Sequence, residues 1–281
     1  MRARASRNAI PAAATIALLG ALTPVALPAR SASAETPVSY DQVVRQDSPV
    51  AYWPLATQDT ATDSTGNGHT GTFYGTPSRT TLPDGEPATV FNGSSQYAEI
   101  PDTNDLSVTT RGVLTIEAWM RPDAREFSRS EASGYVHWLG KGTKGEQEYA
   151  ARIYSLSNSE RRANRISGYA FSPRGGLGNG SYFQDPLTPG QWIHYVLVVN
   201  TTTSSNQYPA GYTKIYKDGH LRDQDSLRQY AFRPRNGTAP LRIATRDLAS
   251  FFHGAMGKVA VYGAELPATR IAAHHAAMQG V

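Results

Sequence analysis

Two antiparallel β-sheets packed face to face, an all-β sandwich, are what this sequence predicts. Three observations carry it: short runs of β-branched and aromatic residues, punctuation by 25 Gly and 18 Pro, and little that reads as helix. A short helix over 38–45 is expected first. In 114–120, Leu114, Ile116, Ala118 and Met120 alternate with Thr115, Glu117 and Trp119, and Pro122 closes the run, so a strand lying between two layers is expected. Runs at 136–139, 149–156 and 165–171 have the same character. Residues 192–200 are apolar nearly throughout, between Pro189-Gly190 and a Thr/Ser tract, which suits a central strand buried on both faces. Asp218-Gly219 follows the run 212–216 and is the strongest short-range hairpin signal in the chain. Strands at 241–244 and 259–262 come last, before a C-terminal helix over 267–278 with Pro267 in its first turn and Gly280 past its end.

Residues 1–34 read as a signal peptide. Arg2, Arg4 and Arg7 precede an Ala/Leu-rich stretch, and Ala32-Ser33-Ala34 fits the small-x-small rule for cleavage before Glu35. A secreted, extracellular protein comprising a single domain over 35–281 is therefore expected, with no membrane span once the leader is removed. The leader's four arginines account for the whole excess of 27 basic over 23 acidic residues, so the remaining chain is balanced in charge. Such a chain has no global field to draw in nucleic acid or anionic lipid, and no nucleic-acid partner is expected. A local basic run, Arg161-Arg162-Ala163-Asn164-Arg165, reads as a solvated turn or as a contact for an acidic polysaccharide. With no cysteine, the fold must rest on its core, which about 245 residues can supply.

Enzyme signatures are scarce, and the sequence leans away from catalysis. Glycosidases on such sandwiches place carboxylates at alternate positions of one strand, about 5 Å apart, and Glu146 and Glu148 are the nearest pair, in an expected turn. Gln191-Trp192-Ile193-His194 departs from the Gln-Ile-His of jelly-roll polysaccharide lyases by an inserted Trp, and His194 reads as a hydrogen-bonded strand residue. No Gly-x-Ser-x-Gly or His-Glu-x-x-His occurs. His274-His275 lack helical metal spacing and are expected at the surface.

Five segments in order, Tyr52-Trp53-Pro54-Leu55, Asp63-Ser64-Thr65-Gly66-Asn67-Gly68, Phe91 to Pro101, Leu114 to Pro122 and Gly190 to Val198, resemble the LamG-like domains of the concanavalin A-like lectin/glucanase superfamily. That resemblance narrows the fold to a two-sheet antiparallel jelly-roll β-sandwich with a short C-terminal helix. It also implies a structural calcium held by Asp63 and Asn67. The family's second carboxylate strand matches at Gly257 and Lys258, which weakens that site. The Asp63 loop is not an EF-hand, since Tyr74 stands where the twelfth-position Glu is needed. Glu117, costly in a strand unless paired, is expected to pair with Lys141, because the family carries both residue types at these places.

Recognition is then the expected function. Sugars stack their C–H faces on aromatic rings and bond their hydroxyls to amides and guanidiniums. Trp138, Tyr149, Arg152, Tyr169 and Asn179 are the candidate ligand-binding residues, with Tyr154, Arg174 and Tyr182 beside them. The expectation is a secreted non-catalytic module for an extracellular glycan or protein. A glycoside hydrolase or lyase with an unrecognised site, and a cell-surface structural protein, are the alternatives.

Overall fold

A computed structural model describes residues 38–280 except 133, 144, 173–176 and 231. The expected leader, and Arg174, lie outside the described residues. Helix α1 (Tyr40–Gln46) opens the chain behind a reciprocal cap in which the Ser39 hydroxyl accepts from the Gln42 N–H and the Gln42 amide oxygen accepts from the Ser39 N–H. Six strands follow: β1 (Ala51–Trp53), β2 (Thr60–Ala61), β3 (Gly71–Tyr74), β4 (Ser78–Thr81), β5 (Pro87–Asn92) and β6 (Tyr97–Ile100). One helical turn, α2 (Val108–Arg111), precedes β7 (Val113–Pro122), β8 (Tyr135–Lys141), β9 (Tyr149–Tyr154), β10 (Ile166–Ala170) and β11 (Asn179–Tyr182). Then come β12 (Ile193–Asn200), β13 (Tyr212–Lys217), β14 (His220–Ser226), β15 (Leu241–Ile243), β16 (His253–Tyr262) and helix α3 (Ala268–Met278).

These strands form two eight-stranded antiparallel sheets, as the jelly-roll expectation requires. The first runs β14-β13-β12-β7-β16-β5-β4 with β1 beside β16, and the second runs β11-β10-β9-β8-β15-β6-β3-β2. The β13–β14 hairpin turns at Asp218 and Gly219, with φ of 52° and 80°, the left-handed pair that a two-residue hairpin of this twist demands.

Alternation in β7 holds as expected and separates two cores. Leu114, Ile116, Ala118 and Met120 enter the core between the sheets, whereas Trp119 packs in a second core under the helices, with Tyr40 and Val44 of α1 and Ile271 and Met278 of α3. Strand β12 is buried along its whole length for the same reason: one face meets the second sheet and the other the helices. The sheets approach closely at Gly168 of β10, where an added Cβ would lie 2.3 Å from the Tyr195 hydroxyl. That hydroxyl donates to the Ser167 carbonyl across the sandwich at 3.2 Å.

Two expected binding residues belong to this inter-sheet core. Trp138 is fully buried, its ring centroid 4.8 Å from that of Tyr195 and edge-on to it. Tyr149 is fully buried too, and its hydroxyl is spent on the Leu106 carbonyl at 2.8 Å. Both are corrected from ligand contacts to core: Tyr149 shares the inward face of β9 with Ala151 and Ile153, and Trp138 enters the same core beside Leu139, where the β8–β9 register is irregular.

Candidate functional site

The outward face of β8 to β11 builds a cleft. Register aligns His137, Arg152, Ser167 and Tyr182 in one row across the four strands, with Tyr135 opposite Tyr154 on one side of it and Ala150 opposite Tyr169 and Gly180 on the other. Strand β14 of the first sheet supplies the facing wall through Asp223 and Asp225, and the enclosed volume is about 610 Å³. The Ser181 hydroxyl donates to the Asp223 carboxylate and ties the two sheets together at this edge.

Arg152 is the centre of the floor. Its guanidinium carbon lies 4.2 Å from the ring centroid of Tyr135, 4.3 Å from that of Tyr169 and 5.1 Å from that of Tyr154, a stacked cation held by three rings. Its Nη2 donates to the Tyr154 hydroxyl at 3.3 Å, and Arg162 Nη1 donates to the same oxygen at 3.2 Å. Arg162 also sits 4.6 Å from the Tyr182 ring centroid, so the basic run 161–165 sends one arginine into the cleft. The Tyr154 and Tyr169 hydroxyls are 2.6 Å apart. Burial opposes ionisation of Tyr154, but Arg152, the Tyr169 hydroxyl and Arg162 together bring its pKa below the ordinary tyrosine value. Burial and its neighbour Tyr154 push Tyr169 up instead.

Beyond Arg152 lies a buried polar pocket. His137 is 1% exposed, with Nδ1 3.3 Å from the Ser250 hydroxyl and 3.5 Å from a Glu131 carboxylate oxygen. Burial, then the charges of Arg246 and Arg152, hold its pKa well below the usual histidine range, so the imidazole is neutral. Arg246, in the loop after β15, is 2% exposed; Nη2 donates to Asp247 at 2.6 Å, while Nε and Nη1 have no hydrogen-bond partner among the described residues. Burial lowers its pKa, with Arg152 and Arg242 adding to that effect and Asp247 and Glu131 opposing it. Ligand atoms of Glu131, His137 and Asp247 lie within 4.8 Å of one another, but two guanidiniums beside them oppose a dication there.

Of the expected binding residues, Arg152 and Tyr169 therefore meet in the cleft. Tyr182 joins them, whereas Tyr154 is fully buried and supports Arg152 from below the cleft surface. Asn179 does not: it is 1% exposed, lies in register with Ala170 on the inward face, and its side-chain oxygen accepts from the Tyr230 N–H at 3.0 Å. His137, Arg246, Asp223 and Asp225 were not among the expected residues. Asp223-x-Asp225 is a carboxylate pair at alternate strand positions, and burial together with Asp223 raises the Asp225 pKa.

A second polar cluster lies on the other face of the first sheet. Glu117 is fully buried and accepts from Tyr40 at 2.7 Å, His194 at 2.7 Å, Tyr262 at 2.8 Å and His274 Nδ1 at 2.9 Å. His274 Nε2 is 2.7 Å from Asp47. The expected Glu117–Lys141 pair is absent, because Glu117 faces the helices whereas Lys141, on the second sheet, bonds Glu148 at 2.5 Å and Asp102 at 2.7 Å. His274 is likewise corrected from surface to core: α3 lays that face on β7 and β12. Burial disfavours the Glu117 carboxylate, but His274 and His194 reverse this and drive its pKa far below the carboxylate range; against the same burial, Glu117 and Asp47 raise that of His274.

The Laminin_G_3 family model matches residues 92–272. The chain belongs to the concanavalin A-like lectin/glucanases superfamily. Among solved structures of this superfamily's fold, one similar domain is domain 4 of an extracellular GH43 arabinanase from Geobacillus stearothermophilus, in complex with arabinotriose: 15% identity, TM-score 0.52, 81% of this chain and 98% of that one. The binding domain of botulinum neurotoxin DC, in complex with rat synaptotagmin II, has 12% identity and TM-score 0.57 over 83% of this chain and 52% of that one. The receptor-binding domain of botulinum neurotoxin type G has 12% identity and TM-score 0.54 over 81% of this chain. The superfamily chain spans about half the length of these neurotoxin domains. These likenesses show the fold. No curated protein matches the chain.

The superfamily's calcium loop can be weighed against the residues present. Asp63 Oδ1 accepts from the N–H groups of Tyr52 and Thr65 and from the Thr65 hydroxyl, and Oδ2 accepts from the His69 N–H. The Asn67 amide donates to the Val50 carbonyl at 2.8 Å. Burial opposes the Asp63 charge, but the Thr65, Tyr52 and His69 donors outweigh it and lower its pKa. Lys258, at the position of the second carboxylate strand, is buried and paired with Asp41. A carboxylate already engaged by four donors, with no second acid from that strand, fits a self-sufficient turn better than a calcium site.

Proposed function

We propose that the protein is a secreted, non-catalytic recognition module that binds an extracellular carbohydrate in the cleft around Arg152 and Tyr169. The observation that carries this reading is the combination, in one open depression, of stacked aromatic rings with guanidiniums that still have donors to give. Rings take the apolar face of a sugar, and forked donors take its oxygens. The arabinotriose complex of the arabinanase domain supports a carbohydrate ligand on this fold. Export rests on the leader-like residues 1–34.

A glycan array probed with the purified protein tests the reading. Binding that is lost on Arg152→Ala and kept on Trp192→Ala, outside the cleft, is the expected result. Silence across the array, with a protein captured instead, overturns it. A hydrolytic reading has one observation of its own, the Asp223/Asp225 pair with the raised Asp225 pKa. Release of reducing sugar that disappears in Asp225→Asn would replace binding with turnover.

A further inference from the structure

We infer that the end of the cleft between Arg152 and Arg246 is a subsite for a single acidic sugar, whose carboxylate or sulfate meets the unpaired N–H groups of the two guanidiniums. The inference rests on the carbohydrate-binding reading and names the ligand class for it.

Four observations lead there. First, the donors are in excess: Arg246 Nε and Nη1 and Arg152 Nε are buried without a hydrogen-bond partner among the described residues. A guanidinium so placed is costly unless an acceptor arrives, and an oxyanion with two oxygens matches its fork. Second, Arg246 is held in place. Arg242, itself bound to Glu99 at 2.7 Å, donates to the Arg246 carbonyl at 2.8 Å, Asp247 takes Nη2, and the Phe171 ring lies 5.9 Å from the guanidinium carbon. Arg152 is fixed by its three stacked tyrosines. Third, His137 beside them is neutral, and the two carboxylates already at this end, Asp247 on Arg246 Nη2 and Glu131 beside His137, leave the Arg246 Nε and Nη1 and Arg152 Nε donors unused among the described residues. Fourth, the facing wall is acidic, with Asp223 and Asp225 on β14. One oxyanion at the arginine end meets N–H groups that Asp247 and Glu131 leave unused, whereas a chain of successive anions would run into that wall. The subsite is thus built for an isolated acidic residue flanked by neutral sugars.

Calorimetry on the purified protein with three oligosaccharides of equal length tests this: one alternating uronate and neutral sugar, its carboxyl-reduced counterpart, and a neutral one bearing a single sulfate. One or both acidic ligands should bind at least about tenfold more tightly than the reduced one. Which of the two does so assigns the oxyanion. Arg246→Gln and Arg152→Gln should each erase that preference, and Tyr182→Ala should weaken every ligand alike. If Arg246→Gln does not fold, a salt titration of the unaltered protein replaces it, since the acidic ligand alone should lose affinity as ionic strength rises. Equal affinity for acidic and reduced ligands, or a preference that survives both Arg variants, overturns the acidic subsite and leaves carbohydrate binding standing. No binding to any of the three, with a silent array, overturns both.

Discussion

Two buried charge clusters sit on opposite outer faces of the sandwich, and they are wired differently. Glu117, beneath the helices, has every direction filled: two tyrosines and two histidines converge on one carboxylate, and Asp47 takes the far side of His274. Arg246, at the end of the cleft, is nearly as deeply buried, and two of its nitrogens have no hydrogen-bond partner among the described residues. A charge that holds a fold together is satisfied within the fold. A charge left partly idle in an open cleft is set for something that comes from outside, and the contrast separates the structural cluster from the binding one.

The sharpest way to break this comparison is at Glu117. Glu117→Leu leaves two phenols and two imidazoles without their acceptor, and about 3–5 kcal/mol of stability should be lost in chemical denaturation. A loss below about 1 kcal/mol would mean the cluster is not structural. Trp138→Ala should cost about 3–5 kcal/mol as well, through a cavity between the sheets, while any variant that still folds keeps its glycan affinity. Arg246→Met should differ in kind: binding to an acidic sugar is lost, and some stability goes with it because the nearly buried Asp247 carboxylate loses its ion-pair partner.

The same cluster gives the pH dependence. Glu117 has a depressed folded pKa, so its contribution is present above the unfolded carboxyl value near pH 4.5 and falls away as pH drops towards the folded one. His274 has a raised folded pKa, so its contribution is complete below the unfolded value near pH 6.5 and is lost as pH climbs through the folded one. Stability should therefore peak between those two limits and decline on the alkaline side. In His274→Gln the alkaline decline should flatten, as thermal melts across pH would register. The smallest effect concerns the Asp63 loop: adding a chelator should leave the unfolding temperature unchanged, and a fall of several degrees would restore calcium to that turn.

Much of the architecture was readable from residues because parity in a strand is a local property. The alternation of 114–120 appears in β7 as expected, and Asp218-Gly219 turns the hairpin it promised. Parity also contained a warning about the site. Tyr149 and Arg152 stand three apart and cannot face the same side of one strand, so a binding set containing both could not survive. What was not local was not legible. Strand β14 is polar but for an exposed Leu221, with no apolar alternation to announce it or to place Asp223 and Asp225 opposite the second sheet. Arg246 lies in Ala244-Thr245-Arg246-Asp247-Leu248, where nothing in the residue order signals burial. His274 looked solvated beside His275 because only the docking of α3 on the first sheet decides which of two adjacent helix residues turns inward.

One feature of the fold bears on the molecule's behaviour in a crowd. The outermost strands of the two sheets, β11 and β14, lie against each other through Ser181 and Asp223, and at the opposite ends β2 has two residues and β4 four, with the sequence Ser-Arg-Thr-Thr. Little flat, unpaired ladder is left for a neighbouring chain to lengthen. For a chain without a single disulfide to hold it together, that is a safeguard against amyloid-like stacking during the moments when packing loosens.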